Sequence, residues 1–353
     1  MTGSTSLKMA TIKTLTLEQE VEWRDLLSQN AEADVYFHPG YLKPLAQRGE
    51  GRPLLFVFTE GERVALHIVL LRPLDRLPFS HAFADKFDSI SPYGYAGPLL
   101  PDPTWAGGFW KAWAEYAAAQ GIVAEFIRFH PLLSNHEPFR DWVALRQAGS
   151  TIWMDLTVEV ETNLSKSRRR HINYALRQGV KVERVGPEFI PQFTRMYQDT
   201  MRRKEAAAYY FFDEAYFHTL YEGLGEDFWL MRASAAGRDC AYKLCLRAPK
   251  FLHYHLGCSA AEMADYRADN LLYLESARAG QQAGCVKFHL GGGYRGEDSL
   301  FAFKALFSPH RAAFYVGQVV HDAAVVAELT HLAQAAGVMA EDPLFFPPYR
   351  SAR

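Results

Sequence analysis

Lys304 stands in the run Phe301-Ala302-Phe303-Lys304-Ala305-Leu306-Phe307, a setting in which an ammonium is costly to bury unless it has a task. Two tasks fit. It could stabilise the oxyanion formed when an amine attacks an ester carbonyl, or hold a substrate phosphate or carboxylate. A snorkelling lysine on a short surface helix fits the same letters. Upstream, His253 and His255 alternate with Tyr254, and His289 sits on a run expected to form the neighbouring strand. Imidazole titrates near neutrality, so His255 is a candidate general base toward an incoming ammonium, with hydrogen-bonding core histidines as the competing reading. No carboxylate stands at recognisable ligand spacing, and no metal is expected.

The second signal is charge. Between Ser165 and Lys204 there are eleven basic residues against three acids, in a chain whose net charge is only -2. At helical spacing Lys166, Arg169, Arg170, Asn173 and Arg177 form one stripe, while Ile172, Ala175 and Leu176 point elsewhere. Such a stripe suits phosphates, since the arginine fork makes bidentate contacts and a nucleic-acid ligand adds counterion release. A solvated face balanced by acidic neighbours reads the same way. Gly291, Gly293 and Gly296 spell G-x-G-x-x-G after a strand. The dinucleotide fingerprint needs a βαβ unit and an acidic residue about 20 positions on, whereas here a short helix and an antiparallel strand are expected to follow. These glycines, with Gly292, instead let backbone approach a substrate or turn sharply out of the strand.

The elements that must position these residues are readable mainly in the second half. Ser165 caps a helix over Lys166–Gln178 that Gly179 stops, and a strand follows at Lys181–Val185. Pro187 opens a helix striped by Phe189, Phe193, Met196 and Tyr197, and another helix lies near Glu214–Tyr221. Phe228–Ala233, Cys240–Leu246 and Phe251–Gly257 read as an antiparallel meander, then come a helix at Asn270–Ala283, a strand at Lys287–Leu290, a short helix at Ser299–Leu306 and a strand at Ala313–Val319. The first half repeats the plan weakly, with strands at Leu54–Phe58, Val64–Leu71 and Ala124–Phe129 and a helix at Trp105–Gln120. A helix over Asp322–Ala336 is expected to pack on the first unit, and Pro347 with Pro348 to mark a loose tail.

This order resembles the acyltransferase fold of the GNAT superfamily, and the local motifs resemble its FemABX-like peptidyltransferase branch. They are Tyr93-Gly94-Tyr95-Ala96-Gly97-Pro98, the basic helix ending Gly179-Val180, His253-Tyr254-His255-Leu256-Gly257, and Leu290-Gly291-Gly292-Gly293 followed by Phe303-Lys304-Ala305-Leu306-Phe307. The resemblance implies an α/β fold of two tandem GNAT-like domains facing a shared cleft, residues 1–155 with a helical segment 320–353, and residues 156–319. It also implies transfer of an aminoacyl group from aminoacyl-tRNA to an amine of a peptidoglycan precursor, with no resident cofactor and no covalent intermediate. Catalytic roles then fall to Lys304 and His255, phosphate contacts to Lys166, Arg169, Arg170 and Arg177, and substrate contacts to Tyr254, Gly292 and a cleft-edge loop of Asp88, Ser89 and Tyr93. For that loop a structural turn is the competing reading.

The alternative is an N-acyltransferase using acyl-CoA or another acyl carrier on an amino sugar or small amine. Superfamily members that use coenzyme A cradle its diphosphate in a glycine-rich loop before the long helix. Here Cys258–Asn270 has no glycine and carries Glu262, Asp265 and Asp269 against Arg267. That favours the tRNA branch. The cross-bridge enzymes carry a phosphate-contacting arginine where this chain has Tyr209-Tyr210-Phe211-Phe212. Composition bounds the rest: 353 residues, 49% hydrophobic, fit two globular units rather than a disordered chain, and four cysteines without framework spacing read as reduced thiols. Val64–Leu71 is too short to span a bilayer, so a cytoplasmic protein is expected.

Overall fold

The computed structural model describes residues 10–294, 296–339 and 344–351. In chain order the elements are β1 (Thr11–Leu15), α1 (Glu20–Ser28), α2 (Pro39–Gln47), β2 (Arg52–Glu60), β3 (Arg63–Pro73), β4 (Phe87–Ile90), α3 (Ala106–Ala119), β5 (Ile122–Arg128) and β6 (Ala144–Asp155). Then come α4 (Lys166–Arg177), β7 (Lys181–Val185), α5 (Ile190–Arg203), α6 (Glu214–Leu224), β8 (Phe228–Ala235), β9 (Arg238–Arg247) and β10 (Phe251–Ser259). The chain finishes with α7 (Ala268–Gln282), β11 (Lys287–Gly291), α8 (Ser299–Ala305), β12 (Arg311–Val320) and α9 (Ala323–Ala335). It divides into unit 1, Met1–Ala148 with Phe314–Arg353, and unit 2, Gly149–Ala313.

Both units use one strand scheme. In unit 1 the order is β1-β2-β3-β4-β5-β12, antiparallel except for the parallel pair β4–β5. In unit 2 the order is β7-β8-β9-β10-β11-β6, antiparallel except for β10–β11. A helix crossover separates the parallel strands in each case, α3 in unit 1 and α7 in unit 2, as a parallel connection requires. Each unit draws its sixth strand from chain that lies beyond the other's fifth. The strand expected at the end of the C-terminal domain, Ala313–Val319, is therefore the edge partner of β5, with Val316 opposite Arg128. Strand β6, whose Lys287↔Asp155 pairing places it beside β11, has no counterpart in the sequence reading.

Packing follows the periodicities. In α3, Phe109 and Trp113 are fully buried and meet Phe56 of β2 edge-on at ring distances of 5.8 and 5.1 Å. Each such side chain contributes on the order of 2 kcal/mol of burial. Beneath them Glu125 of β5 meets His67 of β3 at 2.6 Å and accepts from Trp113 Nε1 at 2.7 Å. Burial pushes this carboxyl up, but His67 and His321 outweigh it and hold it well below the usual range. In unit 2, α7 lies on the face formed by Trp229, Met231, Cys245, Leu252 and Phe288.

The expected loose tail is docked. Tyr349 is fully buried, and Arg350 Nε donates to Asp88 Oδ2 at 2.8 Å, while Arg72 Nε donates to Oδ1 of the same carboxylate at 2.7 Å. Pro348 opens a short 3-10 turn, Pro348–Arg350, within this docked segment. In Asp88→Asn both arginines lose a buried counterion, a loss of ~3 kcal/mol. Urea unfolding of unit 1 is expected at lower denaturant, with trypsin cutting faster after Arg350; unchanged cleavage would show the segment is held by other contacts.

Candidate functional site

The site begins where two strands part. The parallel ladder of β10 and β11 runs from Phe251↔Lys287 to His253↔His289 and stops, while β10 continues to Ser259 along β9 and β11 turns into Gly291 beside β6. Tyr254, Gly257, Gly291 and Gly292 lie at the mouth of this opening. The loop after β11 is shaped by Asp298, the N-cap of α8, whose carboxylate accepts from Tyr294 N at 2.7 Å and Phe301 N at 3.0 Å. A Cβ on Gly293 would lie 2.4 Å from Asp298 Oδ1, so only glycine permits that closure. A Cβ on Gly257 would likewise lie 2.7 Å from the Tyr254 hydroxyl, so its absence makes room for the ring.

Helix α8 then carries Lys304 inward. Only 5% of the residue is exposed, its Nζ donates to the Gly292 carbonyl at 2.7 Å, and it faces the Tyr254 ring at 5.3 Å. The snorkelling reading is excluded. Burial brings its pKa down to about 7, Lys243 and Lys204 push the same way, and Asp298 opposes them. An amine in that range is populated in both protonation states at neutral pH.

Of the other expected residues, Tyr254 and Gly292 join Lys304, and His255 does not. A bulge between Tyr254 and Leu256 breaks the alternation expected of His253, Tyr254 and His255. His255 is buried, and that burial, helped by His253, depresses its pKa to about 3. His253 and His289 meet Nδ1 to Nδ1 at 3.3 Å on the last rung of the parallel ladder. Lys166, Arg169, Arg170 and Arg177 are all exposed along α4, as the stripe requires, and Ser165 caps the helix by accepting from Arg168 N at 3.2 Å. Arg168 is off the stripe and buried: it donates to Asn270 of α7 and lies over Phe303 at 4.6 Å.

Asp88 and Tyr93 lie in unit 1. The Asp88 carboxylate is buried between Arg72 and Arg350, a structural role rather than the edge of a substrate cleft. In unit 1 the segment after β4 stays bonded to β5, through Ser91 N to Phe126 O at 3.0 Å and Ala96 N to Arg128 O at 2.7 Å. Arg128 Nε adds a bond to Gly94 O at 2.9 Å, and the Tyr93 carbonyl accepts from Tyr41 Oη at 2.5 Å. The opening found in unit 2 is filled here by its own chain.

Two residues packed against Tyr254 escaped the sequence reading. Lys243 of β9, 2% exposed, donates to Asp269 at 2.7 Å and faces the rings of Tyr273 and Tyr254 at 3.9 and 5.2 Å. Tyr273 of α7 packs against Tyr254 at 5.3 Å. The signal for Lys243 was the one used for Lys304, a lysine inside an apolar run, here Cys240-Ala241-Tyr242-Lys243-Leu244-Cys245.

Residues 151–244, which span the last part of β6 to most of β9, match the model of the FemAB family. Over that segment the chain resembles the FemAB family. No curated protein matches its sequence. Among solved structures FemX aligns with a TM-score of 0.67 at 13% identity, over 90% of this chain and 99% of that one. A conserved protein of unknown function from Bacteroides thetaiotaomicron aligns at 0.54 and 12%, covering 88% and 100%. L-PGS from Bacillus licheniformis aligns at 0.51 and 13%, covering 76% and 85%. At these identities the likeness is one of fold. The family match covers residues 151–244 and the fold likeness most of the chain. No helix among the described residues is long and apolar enough to cross a membrane.

The Lys304 environment sets a pH signature for this FemAB-like chain. The folded state depresses an amine that titrates near 10.4 when unfolded, so the unfolded state binds the extra proton and stability rises with pH between about 7 and 10. Urea midpoints of unit 2 are expected to climb over that window, and Lys304→Met to remove up to ~1.4 kcal/mol per pH unit of the climb. Parallel profiles in both proteins would place the Lys304 ammonium in water.

Proposed function

We propose that the chain is an aminoacyltransferase that moves an aminoacyl group from aminoacyl-tRNA to an amine of a peptidoglycan precursor in the cytoplasm. The observation that carries this reading is the near-neutral amine of Lys304 at the opening between β10 and β11. Neutral Lys304 takes one proton from the acceptor's ammonium. The freed amine nitrogen bonds to the ester carbonyl carbon, and the charged Lys304 then faces the oxyanion that forms. As the carbon–oxygen bond to the tRNA ribose breaks, Lys304 returns its proton to the departing oxygen, and the second ammonium proton leaves to water. The Gly292 carbonyl, 2.7 Å from Nζ, aims the amine throughout. His255, held neutral, binds a proton too weakly to serve as this base. The exposed stripe Lys166, Arg169, Arg170 and Arg177 supplies phosphate contacts for the tRNA.

The acyl-CoA alternative is disfavoured by the first turn of α7. There Asp269 is held by Lys243, and Asn270 turns back to the Arg267 carbonyl at 3.1 Å, so a diphosphate at that helix start would meet a carboxylate.

Purified protein given tRNA charged with radiolabelled amino acids and a muramyl-pentapeptide precursor is expected to transfer label to the precursor. Lys304→Met is expected to lose at least ~100-fold in rate, with tRNA retention on filters unchanged. Retention by the wild type should fall steeply with salt, and reversing two stripe charges should flatten that slope by about two. Absence of tRNA binding at low salt, or calorimetric heat with micromolar coenzyme A, overturns the reading.

A further inference from the structure

Lys243 has no place in the transfer just described, yet a buried ammonium is among the most expensive groups a strand can carry. It enters unit 2 from β9, with Asp269 of α7 on one side and the rings of Tyr273 and Tyr254 on the other. The Tyr254 ring is shared: Lys243 faces it at 5.2 Å and Lys304 at 5.3 Å. Two ammonium groups thus address one phenol ring, and only one has a carboxylate at hydrogen-bond distance. The pairing is asymmetric. Asp269 and the Tyr273 face both favour the charged form of Lys243. Lys304 has only a neutral carbonyl as its hydrogen-bond acceptor.

We propose that Lys243 is a positioning residue of this site, a permanent charge clamped by Asp269 and Tyr273 whose repulsion across Tyr254 keeps Lys304 available as the uncharged amine. This rests on the proposed role of Lys304 in proton transfer. The two lysines divide the labour: one holds a proton so that the other can give it up. Other charged and titratable groups face Lys304 from each neighbouring element. Asp298 at the start of α8 attracts its proton, Lys204 at the end of α5 repels it, and Tyr254 of β10 and Tyr273 of α7 are both held protonated by burial. Arg168 of α4 lies over Phe303 and Phe307 on the same segment as Lys304. Of the two like charges that bear on Lys304, Lys243 is buried and Lys204 exposed, so solvent screens the second and not the first.

Protein grown on lysine labelled with carbon-13 at Cε lets each buried lysine be titrated by NMR, with Lys304→Met and Lys243→Met identifying the two signals. In the wild type the Lys304 signal is expected to titrate near neutrality. Lys243→Met should raise the Lys304 midpoint by about 1–2 pH units, because a repelling charge is removed and Asp269 is left uncompensated. Lys243→Arg, which keeps the charge, should restore the low midpoint, whereas Lys204→Met should move it less than Lys243→Met. A Lys304 midpoint unmoved in Lys243→Met, or moved equally in Met and Arg variants, overturns the proposal in favour of a packing role. If Lys243→Met does not fold, the wild-type spectrum decides, because Lys243 losing its proton before Lys304 is incompatible with it. No transfer assay enters these outcomes. A failed transfer assay with the expected titrations removes the proposed function alone, and intact transfer with an unmoved midpoint removes this inference alone.

Discussion

An ammonium group held out of water between two diverging strands is the constraint around which unit 2 is arranged. Desolvation alone makes the charged form of Lys304 expensive, and among the described residues it has no carboxylate at bonding distance, while the carbonyl of Gly292 and the face of Tyr254 are beside it. That choice separates this lysine from Lys243, which receives Asp269. The same residue type, buried to nearly the same degree a few ångströms from the same ring, is placed in opposite electrostatic settings by whether a carboxylate is supplied.

The opening beside this amine is a backbone feature. A parallel pair that stays in register closes a sheet, and one that ends after three residues leaves an entrance lined by whatever follows on each strand. Unit 1 shows the closed version. Its corresponding strands are followed by a segment that keeps bonding to β5, and its buried charges, Asp88 between two arginines and Glu125 among His67, Trp113 and His321, are neutralised within the unit. One strand scheme yields a sealed unit and an open one, and the difference lies in some ten residues after the fourth strand.

Local patterns carried far. The caps at Ser165 and Asp298, the apolar stripe of α5, the meander of β8 to β10 and the burial of Lys304 all follow from spacing and residue type, because each depends on neighbours within a turn or two of chain. What failed did so for one reason. Strand β6 alternates weakly, and the partners of β6 and β12 lie more than a hundred residues away, so no local pattern announces them. Asp88 looked like a loop residue because one of its two arginines, Arg350, comes from 262 residues further along the chain. His255 looked like a base because alternation assumes an unbroken ladder, and a single bulge removed that assumption.

The amino-acid sequence by itself determined most of the elements of unit 2, the exposed basic face of α4 and the setting of Lys304 in an apolar run. Only tertiary structure decided that Lys243 and Lys304 meet at one tyrosine, that Asp269 belongs to the first of them, and that His255 is buried at a bulge. Proton affinity depends on desolvation and on charges a few ångströms away in space, and the groups that supply both are brought together by strand pairing across β9, β10 and β11 and by the crossing of α7, none of which is a property of neighbouring letters.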